Sequence, residues 1–275
     1  MHVPEIREAL SWVPLKLKTS ANGQEMSIAT GFVYQHNDRS FLITNHHVVS
    51  GRNPNTDAVL HPDGIVPDTL MLCVATSTAT AQEPGTEVAR WTWRELSLYI
   101  DGDHSKPIWT EHPEHGKRFD VVAIPLSGLE GTRIRAANAP ELGLDRIRIY
   151  PSLEAFVMGY PRGMSGGGHF PIWKRATIAT EPDVDLDGLP RFYVDTATRE
   201  GMSGSPVYAQ EVGYWLPEGE TDKAKASIGK GRRFIGVYSG RLGAEDEFKA
   251  QLGIVWKESA LISLVESVPC EPDKN

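Results

Sequence analysis

Glu200-Gly201-Met202-Ser203-Gly204-Ser205-Pro206-Val207 is the stretch on which the reading of the fold turns. Glycines on both sides of Ser203 let the chain turn tightly and bring backbone N–H groups close to a bound molecule. The Ser203 hydroxyl can then be exposed as a nucleophile, and the N–H groups of Gly201 and Ser203 can point at charge developing on a carbonyl oxygen. One such donor is worth about 2.7–4 kcal/mol to a transition state. A Gly-Ser turn is common, however, so this stretch needs support from elsewhere in the chain.

Two upstream stretches supply it. Leu42-Ile43-Thr44-Asn45-His46-His47-Val48-Val49 is an apolar strand that runs into a histidine pair at its polar end. Phe119-Asp120-Val121-Val122-Ala123-Ile124-Pro125-Leu126 sets an acid at the mouth of a second apolar strand. A carboxylate there can accept the imidazole Nδ1–H, fixing the tautomer and stabilising the imidazolium as it forms. Taken singly, the histidine reads as a satisfied structural residue and the acid as a turn residue. Together they form the order His47, Asp120, Ser203, each at a strand end, with room for half a barrel's strands between neighbours.

The rest of the chain fits an all-β architecture. Short β-type runs broken by Gly, Pro, Asn and Asp occur at 12–18, which alternates apolar and polar, and at 27–35, 40–44, 71–75, 91–100 and 121–126. A second set follows at 147–150, 154–158, 172–180, 191–194, 206–208 and 234–238. About a dozen short strands with little helical periodicity predict a barrel or sandwich. Helical spacing is confined to 259–265, where Ala260, Leu261, Leu264 and Val265 share a face, and to a short stretch at 5–11. The glycine-rich segment 161–168 and the polar segment 217–233 read as loops, the latter as an exposed insertion.

Composition narrows the function. Hydrophobic residues make up 40% and charged residues 23%, the balance of a soluble domain. A net charge of -8 argues against nucleic-acid and acidic-membrane partners. No apolar run is long enough to span a bilayer. The two cysteines, Cys73 and Cys270, read as separate thiols, and the first residues carry no secretory pattern; both features predict a cytoplasmic protein. Glu111-His112-Pro113-Glu114-His115 lacks the helical spacing of a zinc site, and 163–168 lacks the Gly-Lys-Ser/Thr of a phosphate loop, so no metal or cofactor is expected.

At this point the chain resembles the trypsin-like (chymotrypsin-fold) serine peptidases. Thr44-Asn45-His46-His47-Val48 is similar to the T-N-x-H-V motif of the bacterial high-temperature-requirement proteases, which selects His47 over His46. Gly201-Met202-Ser203-Gly204-Ser205-Pro206 resembles their G-x-S-G-[GS]-P nucleophile motif. Phe234-Ile235-Gly236-Val237-Tyr238-Ser239-Gly240 looks like the strand that lines the primary specificity pocket and pairs with substrate backbone. The resemblance implies two six-stranded antiparallel β-barrels and a short C-terminal helix in one peptidase domain. The barrels fall at about 12–126 and 145–256, and the helix at about 257–267.

It also implies a serine endopeptidase with His47, Asp120 and Ser203 catalytic and an oxyanion hole at Gly201 and Ser203. Ala197 would form the base of the pocket, and Thr198, Tyr238, Ser239 and Arg241 its walls. Without an aspartate at Ala197, no preference for cleavage after Arg or Lys is expected. A small or medium apolar residue is the first expectation and an acidic one the second. No PDZ domain follows, and Met202 stands where zymogen-type relatives carry an activating aspartate. The expected partners are therefore a protein or peptide substrate and, in one variant, an activating protein. The alternative is a pseudoprotease whose cleft captures an extended peptide. The Gly-Met-Ser-Gly repeat at 163–166 offers Ser165 as a rival nucleophile, but it follows Asp120 too soon and no strand comes after it.

Overall fold

Alternation of apolar and polar side chains builds the first strand, β1 (Pro14–Ala21): Leu15, Leu17 and Thr19 are buried while Lys16 and Lys18 lie half-exposed. The turn at Asn22 and Gly23, both at positive φ, returns the chain into β2 (Gln24–His36). A second such turn, at Asn37 and Asp38, leads into β3 (Arg39–Thr44). The computed structural model describes residues 8–79, 87–197, 199–241 and 252–269. The predicted helix at 5–11 lies partly outside them; its described part is a 3-10 turn, Ala9–Trp12.

Three further strands complete the first half: β4 (Thr69–Ala79), β5 (Glu87–Ser97) and β6 (Val122–Leu126). The sheet is antiparallel in the order β5-β4-β1-β2-β3-β6. Six strands are present as expected, but among the described residues no ladder joins β5 to β6, so this half is a curled sheet open at one seam. The second half has β7 (Glu154–Gly159), β8 (Ile172–Ile178), β9 (Arg191–Asp195), β10 (Pro206–Trp215), β11 (Ser227–Arg241) and β12 (Leu252–Lys257). It closes as a barrel, because β7 pairs with both β8 and β10.

Two expectations are corrected. Residues 147–150 are not a strand; Ile147 makes a single bridge to Pro217. The segment 217–233 is not all insertion, since β10 and β11 pair continuously out to Trp215 opposite Ser227. Val212, Tyr214 and Ile228 of this ribbon are exposed and only its Trp215 side is packed, so it lacks the regular alternation that marks a strand in sequence.

Each half has its own apolar core, and a third core lies between them. Phe32, Phe41 and Val121 of the first half meet Tyr208, Phe234 and Trp256 of the second there. The C-terminal helix α2 (Glu258–Ser267) seals that junction with Leu261, Leu264 and Val265. No helix among the described residues is long and apolar enough to cross a membrane.

Candidate active site

Beyond β3 the chain enters a single helical turn, α1 (His46–Ser50), which the strand-rich sequence pattern did not predict. Gly51, at φ +63°, ends it by donating to the His47 carbonyl at 3.1 Å. The turn directs the two histidines differently. His46 is buried, with its Nε2 3.2 Å from Glu111 and its Nδ1 against the Ser50 hydroxyl. His47 faces the cleft between the two halves.

Asp120 holds His47 at two points. Its Oδ2 lies 2.7 Å from Nδ1 of the ring, and its Oδ1 accepts the His47 backbone N–H at 2.9 Å. Ser239, from β11, also donates its hydroxyl to Oδ2. Asn45 fixes the acid's own backbone by donating Nδ2 to the Asp120 carbonyl at 2.6 Å. The carboxylate is only 4% exposed. Burial alone would raise its pKa, but the charge of His47 and these hydrogen bonds hold it below the ordinary carboxylate value. Burial likewise works against the His47 imidazolium, and the Asp120 charge overcomes it, so the His47 pKa lies above the ordinary histidine value. With Nδ1–H given to the carboxylate, Nε2 is left as the proton acceptor.

The loop that carries Ser203 is set by two glycines whose backbones allow no side chain. A Cβ on Gly201, at φ +90°, would stand 2.3 Å from the Tyr160 carbonyl oxygen. One on Gly204, at φ +82°, would stand 2.1 Å from the Thr30 carbonyl oxygen. The loop is tied across the junction by Thr30 of β2. The Thr30 N–H donates to the Ser203 carbonyl at 2.9 Å, and its hydroxyl donates to the Gly201 carbonyl at 2.7 Å. That hydroxyl also accepts the Tyr160 N–H at 3.2 Å. Met202 points the other way and is buried in the second barrel's core.

The Arg162 N–H donates to the Glu200 carbonyl at 2.7 Å. In a planar trans peptide the oxygen and the following N–H point in opposite directions, so the Gly201 N–H is turned away from Arg162. Among the described residues, neither the Gly201 nor the Ser203 N–H donates to any group. Both residues line the same cleft as His47. Two unpaired donors beside a half-buried serine and a base form a site able to stabilise an oxyanion.

The other predicted residues fall in several places. Ser239 is a partner of Asp120 and also lines a smaller pocket beside His47. Tyr238 is 1% exposed, and its ring packs on Gly253, where a Cβ would lie 2.4 Å from Cε2. Ala197 is exposed just past β9. Thr198 and the Arg241 side chain lie outside the description; the Arg241 backbone pairs with Gly253. Ser165 does not line the cleft, although Arg162 of the same loop does. His112, of the segment that lacks zinc-site spacing, is buried and accepts the N–H groups of Glu114 and His115, a turn-capping role. Sequence reasoning missed Thr30 and Arg162 altogether, because their contribution is through hydrogen bonds to residues distant in the chain.

The fold and site define a two-lobed β protein with a His–Asp pair and a glycine-bounded serine loop on one cleft. The trypsin-like peptidase domain family matches over residues 29–214. The chain belongs to that family. No curated protein sequence matches it. Among solved structures it is similar to a thermostable serine protease, AL20, from an extremophilic microorganism, with 12% identity, 93% of this chain and 96% of that one covered, and a TM-score of 0.47. It is also similar to a serine endoprotease from Yersinia pestis, with 12% identity, 96% and 67% covered, and a TM-score of 0.45. Likenesses this distant add nothing to the argument beyond the family itself.

Proposed function

We propose that the chain is a serine endopeptidase that works through an acyl-enzyme, with Ser203 as nucleophile, His47 as base and Asp120 as the residue that orients it. The observation that carries this reading is the pairing of His47 with buried Asp120 on the same cleft as Ser203 and two unpaired amides. His47 Nε2 takes the Ser203 proton as Oγ attacks the scissile carbonyl. The tetrahedral oxyanion is held by the Gly201 and Ser203 N–H groups. His47 then protonates the leaving amine, the C–N bond breaks, and water repeats the sequence on the ester.

The positive φ of Gly201 and its unpaired N–H favour an active loop over a collapsed one, and so favour the enzyme over a pseudoprotease. Substrate residues before the scissile bond would add to the edge of β11 from Ser239 onward, as the family resemblance suggests. Tyr238, buried against Gly253, leaves little depth beside that edge, which favours a small or medium apolar residue before the bond. A cytoplasmic location and control by an activating partner belong to the same proposal; the buried free thiol of Cys73 suits a reducing compartment.

The test is a fluorophosphonate probe on the wild type, Ser203→Ala and Ser165→Ala. Labelling is expected in the wild type and Ser165→Ala and lost in Ser203→Ala. A well-folded wild type that takes no label would instead favour the binding module or a protease awaiting its partner. Fastest cleavage after Lys or Arg in a peptide series would overturn the specificity reading.

A further inference from the structure

A broad cleft lies to one side of Ser203, and most of its walls have no part in the chemistry described so far. It is a cleft of about 860 Å³ that begins at His47, Gly201 and Ser203. It extends over the first sheet to the β1–β2 turn and to the loop that follows α1. Its apolar walls come from Met26, Ile28, Leu60 and Ile65. Leu60 is 54% exposed and Ile65 37% exposed. Scattered surface hydrophobics are ordinary, but a convergent set beside a reactive serine marks a binding surface. The charged groups on its rim, Glu25, Arg162 and Glu200, are of both signs and offer no consistent charge to select on.

The strand edges decide which part of a peptide reaches it. The β10–β11 ladder ends at Pro206 opposite Val237, where β10 turns into the nucleophile loop. From Ser239 onward β11 therefore presents an open edge on that side among the described residues. None of the residues lining the large cleft comes from β9, β11 or β12. An extended peptide with its scissile carbonyl on Ser203 must send one arm along β11 and the other across the first sheet.

We infer that this cleft holds the leaving half of a peptide substrate and selects a large apolar side chain within the first two residues after the scissile bond. The inference rests on the peptidase reading above. The volume exceeds one side chain and suits two. Selection comes from removing apolar surface from water, which discriminates by side-chain size.

The test is cleavage of a proteome-derived peptide library by the full chain, reading both sides of every cut. Leu, Ile, Met and Phe are expected to be enriched over Gly and Asp just after the cut. Synthetic pairs differing only there should favour Leu over Gly by about tenfold or more in kcat/KM. In L60S/I65S that ratio should collapse toward one; in L60M, of similar volume, it should persist. Melting curves confirm that both variants are folded. Cuts indifferent to the residues after the bond, or an apolar preference confined to residues before it, overturn the inference. If fluorophosphonate still labels Ser203 in that case, the peptidase reading stands. A protein that neither labels nor cuts overturns the reading of the chain as a peptidase active by itself, and the inference with it.

Discussion

Thr30 has no reactive chemistry of its own, yet three groups of the nucleophile loop and its support end on it. Its amide and hydroxyl hold the Ser203 and Gly201 carbonyls, and the same hydroxyl receives the Tyr160 N–H. Thr30→Val keeps the shape and strands two buried groups, each at about 1–3 kcal/mol. Urea unfolding should show that loss, and fluorophosphonate labelling should slow because Gly201 is no longer held. Asp120→Asn should lower kcat about 10⁴-fold by favouring the wrong His47 tautomer. In the proposed mechanism the active base is neutral His47, so activity should fall as pH drops through its raised pKa. Removing the Asp120 charge lowers that pKa, so the residual activity of Asp120→Asn should have its acid limb at lower pH, as a pH–rate profile would record.

At the level of elements, the oxyanion donors depend on a bond outside their own loop. Arg162, at φ +49°, holds the Glu200 carbonyl through its N–H. Arg162→Pro removes that N–H and demands a φ near −65°; labelling of Ser203 should be lost while the barrels remain folded by circular dichroism. α2 is the other element on which the cleft depends, because it packs on both halves. Leu264→Ala should cost about 2–5 kcal/mol in denaturant unfolding.

Many strands were legible in the sequence, because residues such as Leu15 and Leu17 alternate with polar Lys16 and Lys18 and face a core. Asp120 and His47 were legible because each ends an apolar run. The α1 turn was not, since five residues carry no period, and the outer β10–β11 ribbon was not, since its large apolar residues Val212, Tyr214 and Ile228 face water. Tyr238 was expected beside the substrate and is packed inside the barrel; only the proximity of Gly253, distant in sequence, makes room for its ring. Arg162 and Thr30 act through backbone or hydroxyl bonds that no local pattern records.

Across the whole molecule, the shared core predicts one cooperative unfolding transition rather than two. The His47–Asp120 pair also makes stability depend on pH. The Asp120 pKa is depressed, so its contribution is present above the unfolded value of about 3.9 and lost as pH falls through the folded one. The His47 pKa is raised, so its contribution is present below about 6.5 and lost as pH rises through the folded value. Unfolding free energies measured across pH should therefore show a shallower acid decline in Asp120→Asn than in the wild type. The division of labour between the halves has a practical corollary. The proposed base, His47, and Asp120 reside on the polypeptide before the crossover at about 127–153, and the proposed nucleophile, Ser203, resides after it, fastened to the first half by Thr30. Cut at that crossover, the gene yields two fragments, each lacking what the other carries, and covalent capture of a phosphonate becomes a signal that the two have met.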